Sequence, residues 1–338
     1  MKKAEYPLFP MRPLLLISVL LALTVAGFGL SLTSGSIDIG WRELVAAVFD
    51  TDPGLHARVI LELRWPRAAA AFVTGALLAL AGALMQVLLR NPLADPYVLG
   101  ISGGAATGAL LMLLFGIGGL WLHGAAFSGA LLSMLIVFGL AHGRGSWTIN
   151  RLLLTGIVIA AGWGAVIGFL LAMSPEQNLR GMLFWLMGDL AYAGAPLAGL
   201  VVLLAGLLIA LAMGRTLNIL AHGELAAATL GVPVATLRRL IYVLASLLTA
   251  AAVTMAGSIG FVGLVVPHML RLQGVRDHRQ LLPAAVLLGG SLLLIADTLA
   301  RTLLAPRQLP VGILTALVGV PVFLLLLYRS RELHGREG

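Results

Sequence analysis

The chain has 338 residues, of which 60% are hydrophobic and only 11% are charged, and its mean hydropathy is +1.02. A soluble domain carries about 25% charged residues, so this composition excludes an ordinary water-soluble globular protein. The chain contains no cysteine, which excludes disulfides, thiolate metal sites and cysteine nucleophiles. Its net charge of +8 comes from basic residues in short loops between apolar segments, a pattern typical of membrane proteins and not of nucleic-acid-binding proteins.

Apolar segments long enough to cross a bilayer recur along the whole chain. A spanning helix needs about 20 mostly apolar residues, because the hydrocarbon core is about 30 Å thick. We therefore predict one all-α integral membrane domain over residues 1–338, with about ten transmembrane helices and with a short, interrupted eighth span. In chain order the predicted spans are 13–33, 66–89, 96–115, 119–141, 151–173, 194–213, 236–256, 259–271, 281–300 and 311–328.

Three connections between these spans are long enough to hold structure of their own. The connection 34–65 contains an amphipathic stretch around residues 41–44. In the connection 174–193 we predict a short helix at about 178–190, which is apolar but too short to cross the bilayer. In the connection 214–235 we predict a short helix at about 221–232, ended by Gly231 and Pro233.

The distribution of basic residues predicts the orientation of the chain. Most of the 22 lysines and arginines lie on the side that holds both termini, so the positive-inside rule places both termini in the cytoplasm. The connection 214–235 then faces the cytoplasm, and the other two long connections face outside. The remaining arginines, on the outer side, indicate either lipid-headgroup anchoring or an acidic partner: Arg42, Arg58, Arg64, Arg67, Arg180, Arg301 and Arg307.

The sequence offers no energy source of its own. Lys2 and Lys3 are the only lysines, so a Gly-rich phosphate loop ending in lysine is absent. An ion-coupled secondary transporter needs a titratable group at membrane depth, and Asp297 is the one acidic residue clearly inside a predicted span. Arg301 follows Asp297 by one helical turn, a spacing that favours a structural ion pair over a proton relay.

An intramembrane serine hydrolase is the enzyme alternative. Residues 100–104 match the nucleophile-elbow pattern around Ser102. That motif requires a strand-to-helix turn, whereas this segment opens an apolar helix. His268 is the only histidine that we consider as a partner for Ser102, and it lies beside Pro267 near a helix end. We therefore predict no catalytic residue and no metal site.

Several motifs, in order along the chain, carry a family resemblance. They are 64–67, 75–82, 90–96 and 100–104, then 257–268 with Arg271, and finally 309–313 with 319–323. Over residues 38–328 the chain closely resembles the FecCD-type permeases, the membrane subunits of ATP-binding-cassette (ABC) importers for iron-siderophores, haem and vitamin B12. The resemblance implies the fold of a type II ABC importer permease, with ten helices and both termini cytoplasmic.

The resemblance also implies partners and a location. It predicts a homodimer in the lipid of the bacterial inner membrane, with two cytoplasmic ABC ATPase subunits and a periplasmic or lipid-anchored substrate-binding protein. ATP and magnesium would be bound by the ATPase, so no cofactor or metal is expected on this chain, and no nucleic acid. The cargo would be a bulky metal chelate: an iron-siderophore, haem or cobalamin, in that order and with little to separate them.

Residue by residue, the resemblance assigns three sites. The binding protein would dock on Arg64, Arg67 and Arg301, which favours the acidic-partner explanation of the outer arginines. The helix at about 221–232 would be the coupling helix that seats in the ATPase, through Gly223, Glu224, Ala227, Leu230 and Gly231. The cytoplasmic gate would comprise Asn91 and Leu93, with Ile149 and Asn150 as a second, more loosely aligned element.

Overall fold

A computed structural model describes residues 13–35, 39–44, 54–142, 148–191, 193 and 196–335, and these residues form helices and connecting turns without a β-strand. The termini that we predict to be cytoplasmic, residues 1–12 and 336–338, lie outside the described residues. The helices are α1 Pro13–Thr33, α2 Leu55–Leu88, α3 Ile101–Leu114, α4 Leu120–Ala141, α5 Ile149–Met173, α6 Glu176–Leu186, α7 Leu197–Ala212, α8 Gly214–Ala221, α9 Glu224–Thr229, α10 Val234–Ala256, α11 Val262–Leu272, α12 His278–Thr302 and α13 Val311–Gly335.

The apolar helices account for the ten predicted spans. Six of them are long and apolar enough to cross a membrane alone: α1, α2, α4, α5, α10 and α12. The pair α7 and α8 passes the same length and composition test together, although it bends by 63° at the junction. Three shorter apolar helices, at Ile101–Leu114, Val262–Leu272 and Val311–Leu325, correspond to the third, eighth and tenth predicted spans.

Two helical segments lie outside the predicted spans, one before the second span and one after the sixth. Helix α2 begins at Leu55 and not at residue 66, and its first part contains a π-helical turn, Val59–Arg64. Pro66 lies inside α2, directly after the π-helical turn, where the hydrogen-bonding pattern of the helix changes. Beyond the sixth predicted span, the chain continues as α8 instead of forming a loop.

Helix α2 is the centre of the bundle. Its most apolar stretch is 89% buried, and it packs against α10, α11 and α12. Glycine makes two of these contacts possible, because a Cβ atom on Gly75 would meet the carbonyl oxygen of Gly289, and one on Gly82 would meet that of Gly263. Small residues bring helix backbones together in this way where van der Waals packing must hold a membrane bundle.

Helix α11 was predicted to be interrupted, but it is continuous over Val262–Leu272 with Pro267 inside it. A proline in a helix leaves the carbonyl of the residue four positions earlier without its donor. That residue is Gly263, and the side-chain amide of Gln86 on α2 donates to its carbonyl at 3.4 Å and to that of Leu264 at 3.1 Å. A neighbouring helix thus supplies the lost hydrogen bond, as membrane helices require.

The predicted functional residues lie at the two ends of the bundle. We call the end that carries Arg64, Arg67 and Arg301 the outer end. The end that carries Arg90, Arg271 and helix α9 is the inner end. The short outer helix predicted at 178–190 is α6, Glu176–Leu186, and the predicted amphipathic stretch is helical at residues 41–44.

Candidate functional site

A buried carboxylate organises the arginines at the outer end. Asp297 on α12 has no exposed surface, and Arg67 on α2 binds both of its oxygens: Nε lies 3.0 Å from Oδ2 and Nη2 lies 2.8 Å from Oδ1. Arg301 Nε approaches Asp297 Oδ2 to 3.2 Å one helical turn away. The predicted Asp297–Arg301 ion pair is therefore confirmed. The second partner, Arg67, was not predicted.

The same arginines hold the end of α1. Arg64 donates from Nη1 to the carbonyl oxygens of Leu32 at 2.7 Å and Thr33 at 2.8 Å. Arg301 Nη2 lies 3.0 Å from the hydroxyl of Ser31 and 3.3 Å from its carbonyl oxygen. The last carbonyls of a helix have no partner within the helix, and they carry its negative dipole end. Arginines are therefore well suited to bind them, and they tie α1 to α2 and α12.

These arginines border a pocket of about 470 Å³ at the outer end. Its other walls come from the segment after α6, around Leu190, and from the turn that holds Gln308, whose side-chain oxygen accepts from Arg67 Nη1 at 3.0 Å. Near this pocket, burial raises the pKa of the Asp189 carboxyl. A hydrogen bond from the backbone N–H of Ala191 at 2.8 Å and the charge of Arg67 oppose this shift.

The structure places the three predicted docking arginines together, but each has partners within the chain. Arg64 is 5% exposed as a residue, and the side chains of Arg67 and Arg301 are 14% and 9% exposed. Arg67 and Arg301 share the buried carboxylate of Asp297, whereas Arg64 binds backbone carbonyls, and Glu62 also lines the pocket beside the three arginines. Docking of an acidic partner on these arginines stays a prediction.

The inner end carries the predicted coupling helix as α9, Glu224–Thr229. Gly223 (φ +124°) precedes it and Gly231 (φ +78°) follows it, and both adopt backbone angles that side chains rarely allow. Glu224 pairs with Arg238 of α10 at 3.1 Å, which connects α9 to a long apolar helix.

Exposure along α9 distinguishes the predicted contact residues. Ala227 is completely buried within its own chain, so it offers no surface to a partner. Leu230 is 69% exposed, and Leu225, which the sequence analysis did not select, is 82% exposed. Two large apolar side chains that face out of a short helix at the bundle end form the best contact surface there. Of the predicted coupling residues, Leu230 is therefore available to a partner and Ala227 is not, and a contact of this helix with the ATPase stays a prediction.

The predicted gate residues fall in two places. Asn91 and Leu93 lie in one tight turn, where the side-chain oxygen of Asn91 accepts from the backbone N–H of Leu93 at 2.9 Å. Both are exposed and line a pocket of about 870 Å³ at the inner end. Ile149, which is half-buried, and Asn150, which is exposed, form the first turn of α5 and do not line that pocket.

The two alternative sites fit the structure poorly. Ser102 lies in the first turn of α3, and a 3₁₀ turn, Pro96–Leu99, precedes that helix, so the strand-to-helix elbow of a serine hydrolase is not formed. Asp297 is bound by two arginines and has no exposed surface. A proton relay would need that carboxyl to exchange protons with a water-accessible path.

Together these features define the class of protein. The chain is a multi-pass membrane protein whose central helix is mostly buried, with a short amphipathic helix at one end and, at the other, a short helix with exposed leucines in it and directly after it. The arrangement of helices is the fold of a type II ABC importer permease. The chain belongs to the FecCD transport family, whose profile matches residues 22–329.

Individual relatives agree with this assignment. The hemin transport system permease HmuU of Yersinia pestis is 42% identical over 95% of this chain and 97% of its own length. The vitamin B12 import permease BtuC of Citrobacter koseri is 40% identical over 81% of this chain and 84% of its own length. A solved structure of a metal-chelate type ABC transporter in an inward-facing conformation has 33% identity and a TM-score of 0.83, covering 94% of this chain and 100% of that one.

Proposed function

We propose that this chain is the translocation subunit of an ABC importer that moves a bulky metal chelate across the bacterial inner membrane, powered by a separate ATPase. One observation carries the proposal: the end-to-end likeness in fold to a metal-chelate type ABC transporter, at 33% identity. The relatives named for hemin and for vitamin B12 support the same class of cargo, a bulky metal chelate.

Exposed apolar surface supports the proposed homodimer. Only 11% of the most apolar stretch of α5 is buried within the chain, the lowest fraction among the long spans. Gly164 and Gly168 on this helix have open space where a Cβ atom would lie. Glycines four residues apart allow a second helix to approach closely in a membrane. We propose that α5 faces a second copy of this chain, with the translocation pathway along the axis between them.

Helix α9 supports the proposed ATPase partner and indicates how force would pass to the membrane. Leu225 and Leu230 would insert into a groove of the ATPase, one on each copy of the permease. ATP binding would draw the two ATPases, and with them the two α9 helices, together. The Glu224–Arg238 ion pair would pass this motion to α10, opening the pathway outward, and hydrolysis would reset it.

Cargo uptake in cells tests the proposed substrate class. We expect deletion of the gene to abolish the import of one of three labelled chelates, namely a ferric siderophore, haem or cobalamin, and a plasmid copy to restore it. The substrate-binding protein encoded nearby should bind the same chelate in solution, because such proteins select the cargo before it reaches the permease. Unchanged uptake of all three in the deletion strain would contradict this part of the proposal.

A further inference from the structure

A pocket of about 870 Å³ at the inner end is not used by the coupling contact described above. We call it the inner pocket. Three helix ends meet around it: the end of α2 at Val87, the end of α11 at Leu272, and the start of α12 at His278. Ala221 and His222 form another wall, and the next residue, Gly223, directly precedes the coupling helix. The inner pocket is therefore continuous with the proposed ATPase contact.

The inner pocket contains two arginines whose charge is not matched by a carboxylate among the described residues. They are Arg90 and Arg271, while Arg276, the third arginine of the lining, has an interaction of its own. Arg90 has no side-chain hydrogen bond or ion pair among the described residues, and the partner of Arg271 there is the neutral side-chain oxygen of Gln86. Arg271 is partly buried, and such a guanidinium is costly unless an anion compensates its charge, whereas Arg90 is exposed.

Asp277, the one carboxylate among the described residues that line the inner pocket, already has partners. Arg279, outside the pocket, binds it through Nη2 at 2.7 Å, and the side-chain amide of Asn218 donates to it at 2.8 Å. The hydrogen bonds from Arg279 and Asn218 hold the pKa of Asp277 well below its usual range, so it is ionised at neutral pH. Asp277 therefore pairs with Arg279 and does not neutralise Arg90 or Arg271.

A second observation is a buried polar atom without a partner. Asn218 donates its N–H to Asp277, so its side-chain oxygen is an acceptor, and it receives the backbone N–H and the Nδ1 of His278 at 2.8 and 2.7 Å. His278 is 3% exposed and lines the inner pocket, but its Nε2 has no hydrogen-bond partner among the described residues. Because Nδ1 carries the proton, Nε2 is an acceptor, so a water or a donor group of a partner would satisfy it and a carboxylate would not.

The backbone at Arg90 is a third observation. The end of α2 is closed by two reverse hydrogen bonds, from Arg90 N to Val87 O and from Asn91 N to Gln86 O, both 3.2 Å. This arrangement places its penultimate residue in the left-handed region, where glycine is the usual choice. Arg90 occupies it with φ +49°. A strained residue in place of glycine indicates that its side chain is needed there.

We propose that the inner pocket receives an acidic side chain of the ATPase subunit, whose carboxylate pairs with Arg90 and Arg271. This inference rests on the proposed function, because it adds a charged contact beside the apolar contact of α9. A protein partner fits better than a lipid, since the pocket lies below α2, the most enclosed helix of the bundle. Arginine forms two-pronged hydrogen bonds with a carboxylate, which would also fix the orientation of the ATPase.

The test measures the affinity of the ATPase encoded beside this gene for the permease in nanodiscs of zwitterionic lipid. We expect Arg90→Gly with Arg271→Gln to weaken binding about tenfold at low salt, the effect of losing a charge-assisted contact. The difference should shrink at high salt, because salt screens the lost attraction. Arg90→Gly alone should fold at least as well as the native chain, since glycine fits that backbone, and it should show part of the loss.

Controls separate this inference from its alternatives. Arg215→Gln removes one positive charge from an exposed position outside the pocket and should leave the ATPase affinity unchanged. Arg271→Lys keeps the charge, so it should bind the ATPase more tightly than Arg271→Gln does. Affinity and salt dependence equal to those of Arg215→Gln would overturn the proposal. The proposal would also be overturned if the variants lost affinity only in nanodiscs with anionic lipid. It would be overturned too if added inorganic phosphate had the same effect on the native chain as the substitutions. If a variant with Leu225→Asp and Leu230→Asp also binds the ATPase normally, the proposed function itself fails.

Discussion

Replacing Leu225 and Leu230 with aspartate should abolish assembly with the ATPase while leaving the membrane bundle folded. Both side chains are mostly exposed, so the change removes no packing within the chain. Burial of a leucine in a partner's groove is worth about 1.5–3 kcal/mol, so losing two such contacts and burying charges in their place should weaken binding at least about 100-fold. Co-purification and titration of the ATPase against the permease measure this.

The matched control is Leu303→Asp with Leu304→Asp, which changes two similarly exposed leucines at the outer end of the bundle. This variant should bind the ATPase normally. Ala227→Asp is expected to behave differently from both, because Ala227 is completely buried and a charge there would disrupt the packing of α9 on its own chain. Native ATPase affinity in the Leu225 and Leu230 variant would show that α9 is not the coupling element.

Asp297→Asn should be the most destabilising single change at the outer end. The variant keeps the shape of the side chain but leaves Arg67 and Arg301 without their shared negative charge in a buried site. Removing one partner of a buried ion pair costs about 3–5 kcal/mol. Thermal unfolding of the purified permease should show a clear fall in the midpoint, and binding-protein docking should weaken because the arginines lose their fixed positions.

A second variant tests whether unpaired positive charge causes the loss of stability. Adding Arg301→Gln to Asp297→Asn removes one of the two unpaired guanidinium groups, so it should recover part of the lost stability. Glu176→Gln, at an exposed outer position, is the control for losing one negative charge. Unchanged stability in Asp297→Asn, together with the loss of a pH dependence of uptake, would instead favour the ion-coupled carrier.

The structure also changes how the docking arginines should be tested. Reversing Arg67 or Arg301 to glutamate would place a second carboxylate beside Asp297, so the bundle would be destabilised whether or not a partner docks there. Arg67→Lys is more informative. It keeps the charge and loses the paired hydrogen bonds to Asp297, which separates a need for positive charge from a need for geometry.

Much of the fold could be predicted because the signal is one of hydropathy. Ten segments were recognised from their apolar character and length, and nine of them begin within a few residues of the observed helices. The start of α2 was missed because Leu55–Arg64 contains His56, Arg58, Glu62 and Arg64, which lower its hydropathy although it is helical. Helix α8 was missed for the same reason, since Arg215 and Asn218 interrupt its apolar pattern.

The sites were harder to predict, because they depend on contacts between distant parts of the chain. Arg301 is one turn from Asp297, so that pair could be recognised by spacing. Arg67 is 230 positions away, and no local pattern connects the two residues. In α9 the residues Leu225, Ala227 and Leu230 are all apolar, so the sequence does not show which of them faces the chain's own core.

Transport by the reconstituted complex tests the central claim most directly. The permease would be placed in liposomes with the ATPase inside and the chelate-loaded binding protein outside, and accumulation of the chelate would be measured. We predict that accumulation requires ATP and both partner proteins, and that it continues when ionophores remove all ion gradients. Accumulation driven by a proton or sodium gradient, in liposomes without the ATPase, would contradict the account.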